Sequence, residues 1–507
     1  MKDLQELVDN IRLSHSRDFT PVGLAKGDTN KTDELFQLIQ ERQVKSDLEA
    51  FKVLYPNKKT KVPNSAYRNV KCALKERLLH SLLLSSLDVD ASDRQNAFIK
   101  AHKYFAASQL LIAQSAKTAA TDFLLKVLQI SEQFEFIELA ASACRQLSTI
   151  FATRIGSYKE YNDYLQKSIG YEQLNTLELK AERYYHELII HFVNSLSPNK
   201  SLRAKAKRYQ KELEQEASAR SSYKAELYLM LIRLFYHTSV NDYHLVADIC
   251  DQAVSYFSNK AYEARTPIQI ALHHKVVCCM MTGQLDQAKA HLQESHKLLH
   301  AGDFNWFRDL EYLLLIALRE EDHESAQSIY YKATNHPRFE FLPEQVKEMW
   351  TFYQGYLGLL LLAGKLDRRK QRKLRIQHFL NSMPVFSKDK RGLNIGILIV
   401  QFCYLVLDKK YNQAIERTEA LKRYCSRYLF SEDTFRSYHF IKALLAIPKG
   451  NFHQAAVGRH AQKHLEKLKE TPSSKTLEHH KLEVLPYERL WAIVFNSLDL
   501  QIIKVKK

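Results

Sequence analysis

A short turn signature recurs along this 507-residue chain at nearly constant spacing. Two small or polar residues usually precede an aromatic residue or Leu, and a small residue follows three positions later. The clearest copies are Gly283-Gln284-Leu285 with Ala288, and Gly450-Asn451-Phe452 with Ala455. The third residue of each copy is its anchor, and the anchors are Tyr158, Leu202, Tyr243, Leu285, His323, Leu366, Tyr411 and Phe452. Anchors about 40 residues apart indicate an array of helical repeats.

The chemistry of the signature explains why it marks a turn between two helices. Gly and Asn adopt the left-handed backbone conformation that ends a helix, and the anchor side chain then packs back over the turn. The small residue allows two helices to approach closely. Extrapolation backwards by one period leads to the neighbourhood of Ala119, so we expect a ninth, degenerate unit there.

The composition excludes most β architectures. The chain has 13 Gly and 11 Pro, whereas an average protein of this length has roughly 35 Gly and about 25 Pro. Hairpins and sandwiches need more turn-forming residues than this. Between the few breaks, the sequence is rich in good helix formers such as Leu, Ala, Lys, Glu, Gln and Arg. The composition therefore predicts an all-α fold.

The turn pattern resembles that of tetratricopeptide repeats (TPRs), in which Gly-Asn or Gly-Asp precedes an aromatic residue and then Ala. The resemblance covers roughly residues 96–470, and the spacing near 40 leaves longer helices or a HEAT-like relative as alternatives. It implies an α-solenoid of about nine TPR-like antiparallel helix pairs. It also implies a curved scaffold that holds peptides or domains.

The two ends of the chain differ from the repeats. We expect an irregular lead-in at 1–32 and a small helical module at 33–95, with one helix opened by Ser46 and a long one starting at Ser65. This module is interpreted as a cap for the first repeat. The alternative is a helix-turn-helix DNA reader that uses Tyr67, Arg68 and Lys71.

Residues 471–507 are predicted to form a C-terminal capping helix, kinked or divided at Pro486, and a basic tail. The strongest apolar run, Leu393–Leu407, is short for a membrane span and is interpreted as a buried helix. The seven cysteines show no CxxC spacing, and the N-terminus lacks the apolar stretch of a signal peptide. A reducing compartment and a cytoplasmic location are expected.

Aromatic residues in first helices are candidates for binding a partner, because the resemblance implies that first helices line the groove. Core packing is the alternative for each of these rings. The candidate partner groove consists of Trp306, Arg308, Glu311, Arg319, Trp350, Tyr353 and Gln354.

The formal net charge of +17 permits a role on nucleic acid, on an acidic protein or on an anionic membrane face. The densest basic cluster is a candidate anion or nucleic-acid patch formed by Arg368, Arg369, Arg372, Lys373 and Arg375. A second basic stretch at 200–211 is followed by Glu212, Glu214 and Glu216, and local pairing of these charges favours a solvated helix.

Catalytic, cofactor and metal sites are not predicted. The sequence has no HExxH, Walker, GxGxxG or GxSxG motif. The His pairs 296/300 and 460/464 share a helix face, but neither has a third ligand at motif spacing. The prediction is a non-catalytic protein-protein interaction scaffold with a protein or peptide partner. The alternative is a nucleic-acid-associated regulatory protein.

Overall fold

Helices make up almost all of the regular structure of this chain. The structure, a computed structural model, describes residues 1–14, 30–57, 63–84, 93–194, 200–217, 221–366, 393–428, 435–471 and 483–499. Within these ranges the only β-type pairing is an isolated bridge between His453 and Asp499. The predicted all-α class is confirmed.

The chain divides into two compact units, unit 1 at Met1–Tyr164 and unit 2 at Leu165–Lys507. The helices of unit 1 are α1 Lys2–Ser14, α2 Lys31–Gln40, α3 Asp47–Leu54, α4 Ser65–Leu84, α5 Asp93–Ala113, α6 Lys117–Phe134 and α7 Ile137–Ile150. A π-helical turn at Phe151–Ile155 follows. Helix α8, Tyr158–Asn194, contains the boundary between the units. The boundaries at 32, 95 and 470 remain predictions from the sequence.

Helices α1 to α4 share one apolar core in unit 1. The core residues include Leu4, Leu35, Phe51 and Leu74, each at most 1% exposed. As predicted, Ser46 caps α3, because its hydroxyl accepts a hydrogen bond from the backbone N–H of Glu49. The first part of the predicted lead-in forms α1. Residues 15–29, most of the remainder, lie outside the described residues.

Unit 2 is a series of helices in which each helix from the second onwards contacts the next along the chain. After α8, the helices are α9 Lys200–Ala217, α10 Tyr223–Ser239, α11 Tyr243–Ser258, α12 Arg265–Thr282, α13 Leu285–His296, α14 Phe304–Arg319, α15 His323–Thr334, α16 Glu344–Leu362, α17 Leu393–Leu407, α18 Tyr411–Tyr428, α19 Phe435–Lys449, α20 Gln454–Glu470 and α21 Tyr487–Asn496. A short 3₁₀ helix, Pro337–Phe341, precedes α16. The arrangement is therefore helical-repeat-like.

The predicted turns are present at most of the described anchors, but the turn predicted at Leu202 is wrong, because α9 already begins at Lys200. A residue with positive φ stands two positions before the anchor in six copies, and these residues are Gly156, Asn241, Gly283, Glu321, Gly364 and Lys409. The following helix begins at the anchor itself in five of these copies, at Tyr158, Tyr243, Leu285, His323 and Tyr411. Near the position expected for a ninth unit, Ser115 has φ 62° and precedes α6 by two residues.

Hydrogen bonds stabilise the turn at Gly283 on both sides. After Gly283, the N–H of Gln284 donates to the carbonyl of Cys279 at 2.8 Å, a pairing typical of a Schellman turn. The carbonyl of Gln284 then accepts from Ala288 at 3.1 Å and starts the next helix. One residue thus ends one helix and opens another, which explains why the connection is so short.

The residue three positions after the anchor lies in the core at four anchors, but not at the last one. The fourth helical residue is at most 1% exposed at Val246, Ala288, Ala326 and Ala414. At the last anchor, both Asn451 and Phe452 have positive φ, so α20 begins two residues later than predicted. Ala455 is consequently exposed, and Val457 occupies the buried position.

Helix α17 is buried, as predicted for the apolar run, and Ile395, Ile399, Phe402 and Val406 are fully buried. Among the described residues, no helix is both long enough and apolar enough to span a bilayer. The predicted C-terminal helix begins directly after Pro486. Residues 472–482 lie outside the described residues.

Candidate functional site

Helix α14 places charged side chains in the core of unit 2. Asp309 is fully buried and Glu311 is 4% exposed, because α14 is packed on nearly every side. Burying a charged group is costly unless other groups neutralise it or bond to it. The contacts of these two carboxylates therefore determine the character of this region.

Glu311 connects α14 to α16. One of its carboxylate oxygens accepts a hydrogen bond from the Tyr353 hydroxyl at 2.6 Å, and the other accepts from Arg308 at 2.8 Å. The Glu311 carboxylate raises the pKa of Arg308. Burial, together with the same carboxylate, raises the pKa of Tyr353 well above its usual value. The network therefore holds a charged Arg308 and a protonated Tyr353.

Asp309 binds groups from α12 and α13. Its Oδ1 lies 2.6 Å from His273 Nε2 and accepts from Ser295 Oγ at 3.1 Å. Ser295 Oγ lies 3.3 Å from the same nitrogen of His273. In a catalytic triad, Asp and Ser bond to different nitrogens of the His ring. This cluster shares one nitrogen and is buried, so its geometry favours a structural role.

Several polar side chains near this network remain partly exposed, and we call them the first-helix surface, which consists of His274, Arg308, Arg319 and Gln354. Arg308 keeps 30% of its side chain exposed. Burial lowers the pKa of His274 to about 4, with His273 and Arg308 adding to the effect. His274 is therefore neutral near pH 7, and Arg308 provides positive charge.

Some residues of the predicted partner groove are buried in the core and others are partly exposed. Trp306, Trp350 and Tyr353 are at most 3% exposed, so a partner could not touch these rings without opening the core. Trp350 packs edge-on against Tyr353, with ring centroids 5.9 Å apart. Arg308, Glu311 and Tyr353 form one network, while Trp306 packs against Phe307.

Arg319 and Gln354 complete the predicted set. Both side chains are partly buried. The Arg319 guanidinium donates to the carbonyl of Met280 at 2.6 Å, and burial lowers its pKa. Arg319 follows Arg308 by three helical turns, about 16 Å along α14.

Residues 483–499, which we call the strap, pack against several helices of unit 2. Their main attachment is Arg436 on α19, which is 2% exposed. Its guanidinium bonds to Glu483 at 2.7 and 2.9 Å, to Glu488 at 2.9 Å, and to the carbonyls of Leu468 and Thr471. A planar guanidinium matches two carboxylates in this way, and an ammonium group would not.

The strap also reaches turns that are distant in sequence. Arg489 donates to the carbonyl of Arg319 and lies 3.3 Å from the Glu321 carboxylate. Asp499 accepts from Lys409 at 3.0 Å and from the Tyr411 hydroxyl. The turns after α14 and α17 thus contact the same short segment.

The predicted basic patch, Arg368, Arg369, Arg372, Lys373 and Arg375, lies outside the described residues. In the second basic stretch, the charges pair between helices instead of along α9. Lys205 bonds to Glu187 of α8 at 2.9 Å, and Glu212 bonds to Lys180 of α8 at 2.6 Å. The exposed cations of α9 include Lys207, Arg208 and Lys211.

The predicted DNA-reading residues of α4 differ in accessibility. Tyr67 is 1% exposed, and its hydroxyl donates to Asp47 at 2.9 Å. Lys71 forms an ion pair with the same carboxylate at 2.9 Å. Arg68 is exposed.

The paired histidines noted in the sequence have other neighbours. His464 Nδ1 lies 3.0 Å from Nδ1 of His439, while His460 is exposed. His296 lies 3.6 Å from Asp309 and His300 contacts Arg265. Within the described ranges, no group of three or more potential ligands is placed to hold a metal ion.

Sequence reasoning did not identify the Asp309 cluster or the reach of the strap. Both depend on contacts between residues that are far apart in sequence, and only the Asp309 cluster has a local sign, the presence of His273 in α12. Comparisons of this chain with protein-family models, with curated proteins and with solved structures return no match.

Proposed function

We propose that this protein is a non-catalytic interaction scaffold whose TPR-like helix pairs, about nine in number, stack into a superhelix. In this proposal, a segment of a partner protein binds along the first-helix surface of unit 2. The scaffold contributes a preorganised surface and no chemistry of its own.

Arg308 is the observation that carries the proposal. Its guanidinium is positioned by Glu311, which is itself fixed by Tyr353, yet 30% of the side chain is exposed. A group that is already ordered loses little entropy on binding. Its remaining N–H groups are suited to a carboxylate or a main-chain carbonyl of a partner, because guanidinium bonds to such groups are strong and directional.

Affinity capture from a cell extract with matched variants tests this proposal. Arg308→Gln removes the charge, and Gln354→Lys alters the adjacent surface without touching Glu311. Arg459→Gln on the exposed side of α20 is the control. We expect both surface variants to capture the partner at least about tenfold more weakly than the control, as for central interface residues.

Circular dichroism of each variant before capture shows whether the helices are intact. Equal capture by the wild type and by folded Arg308→Gln and Gln354→Lys would contradict the proposed surface. A partner lost only on Arg459→Gln would place the interface on the second helices instead.

A nucleic-acid-associated role is the second candidate, and the exposed Lys207, Arg208 and Lys211 on one side of α9 favour it. Fluorescence anisotropy with mixed-sequence DNA and RNA at low and near-physiological salt tests this role. Phosphate contacts predict micromolar or tighter binding that weakens steeply with salt. Charge reversal at these three positions, or at Arg368, Arg369, Arg372 and Arg375, should then abolish binding.

A further inference from the structure

We propose that the strap, residues 483–499, is a displaceable ligand of its own chain, and that the partner of unit 2 binds through a segment of the same chemistry. That chemistry is an apolar stretch with two carboxylates five positions apart on either side of an aromatic ring. The proposal rests on the proposed function, because it names the kind of partner.

The first step of the argument is that the strap binds by side-chain contacts that a separate peptide could reproduce. Glu483 and Glu488 bind Arg436, the Tyr487 hydroxyl lies 2.8 Å from Ser437 Oγ, and the Tyr487 ring stacks on Phe440 at 4.3 Å. Pro486 stands before α21, so the segment begins extended and continues as a helix. These are features of a peptide that docks on a helical surface.

The second step concerns where the strap lies. Arg489 contacts the end of α14 at Arg319 and Glu321. Arg319 belongs to the first-helix surface, and Arg308 stands on the same helix three turns earlier. The strap therefore lies against the backbone at the far end of the surface, where Glu483 also acts on the Arg319 guanidinium. Arg308 keeps 30% of its side chain exposed, so a longer partner segment could start at Arg308 and compete for the rest.

The third step is the uneven attachment of the strap. Its centre is buried, with Tyr487, Leu490 and Val494 fully covered. Its polar contacts at the α14 turn are exposed, with Arg489 at 42% and Glu321 at 59% side-chain exposure. Exposed ion pairs contribute little to stability. Displacement can therefore begin at Arg489 while the Arg436 contacts still hold.

The test uses the full-length chain and a labelled synthetic peptide with the sequence of residues 483–499. The variants are Arg489→Glu, which sets two carboxylates against each other at Glu321, and Asp499→Asn, which removes the ion pair with Lys409. Arg459→Glu is the charge-matched control. A peptide with Lys in place of both Glu483 and Glu488 tests the carboxylate requirement.

We expect hydrogen exchange of the strap amides to be faster than that of α14 and α17 in the wild type, and about tenfold faster still in Arg489→Glu. Peptide affinity should rise about tenfold in Arg489→Glu and Asp499→Asn but not in Arg459→Glu, because an internal competitor lowers the apparent affinity by its occupancy. The peptide with two Lys should not bind.

Two results together would overturn the inference: strap amides that exchange hydrogen only when those of α14 and α17 do, and equal peptide binding by all variants. The strap would then be a permanent part of the core. Equal binding of the peptide with two Lys would overturn the stated partner chemistry. Neither result depends on Arg308, so the partner capture described above would still decide the proposed function separately.

Discussion

Tyr353 and Tyr356 stand one turn apart on α16, and both are fully buried, but only the hydroxyl of Tyr353 has a hydrogen-bond partner among the described residues. The Tyr353 hydroxyl donates to Glu311 at 2.6 Å. Among the described residues, no group lies within hydrogen-bond distance of the Tyr356 hydroxyl. Two identical side chains in the same helix thus have opposite polar environments.

Tyr353→Phe should destabilise unit 2 by about 1–3 kcal/mol, because it leaves an oxygen of the buried Glu311 without its donor. Tyr356→Phe is the matched control. It should be neutral or slightly stabilising, since it removes a buried hydroxyl that makes no bond. Urea unfolding of the full-length chain, followed by Trp fluorescence, measures both. Equal effects of the two variants would contradict the assigned network.

The stability of unit 2 should decrease as the pH falls from about 6.5 to about 4. The pKa of His274 is lowered to about 4 by burial, so the unfolded chain binds more protons than the folded chain in this window. The lowered pKa of His274 contributes at most about 3 kcal/mol to the free energy of unfolding, and this contribution is fully present above pH 6.5.

Unfolding free energies of the wild type and of His274→Gln at pH 7 and pH 5 measure this contribution. Between pH 7 and pH 5, the free energy of unfolding should fall less in His274→Gln than in the wild type. In the control His460→Gln, at an exposed position, it should fall as much as in the wild type. An unchanged pH dependence in His274→Gln would show that other groups account for it.

Gly283→Ala should cost about 1–2 kcal/mol, because Gly283 has φ +80° and a Cβ there is strained by its own backbone. No other atom lies within 4 Å of the position of that Cβ. Gly170 is the control, since it lies within α8 and has the same open space. Gly170→Ala should stabilise by about 0.5–1 kcal/mol. Chemical denaturation distinguishes these opposite signs.

Arg436→Lys should destabilise the attachment of the strap by about 3 kcal/mol. The ammonium group keeps the charge but has only three donors for the groups that Arg436 now binds. The Glu483 side chain is 11% exposed, and a mostly buried carboxylate that loses a partner is costly. Arg459→Lys on the exposed face of α20 should be neutral. The measurement is the rate at which a protease cleaves near Arg489. Equal cleavage rates would contradict the role of Arg436.

The sequence was sufficient to locate most of the turns, because many of them depend on a few adjacent residues. It failed at Leu202, which lies inside α9. Gly283 and Gly364 take positive φ as their residue type predicts, and the same conformation at Glu321 and Lys409 follows only from the regular spacing. The two-residue error at Ala455 arose because Phe452 also adopts positive φ, which few aromatic residues do.

The candidate site was less accessible to sequence reasoning. Arg308 and Glu311 could be recognised as companions because they stand one turn apart on a helix. Their link to Tyr353 depends on how two helices pack, and the hydrogen bond joins positions 42 residues apart. Whether Trp306 and Trp350 face a groove or the core could not be decided from spacing, and both rings are buried.

The contact between Arg489 and the end of α14 bears on how unit 2 unfolds. Helix pairs that touch only their sequence neighbours fray from the ends, since each terminal pair can melt without disturbing pairs further in. Here α21, the last helix within the described ranges, is joined to a turn 170 residues earlier. Displacement of that helix removes contacts from α14 and α17 as well, so release of the strap should lower the free energy of unfolding of both helices although they lie far from it in sequence.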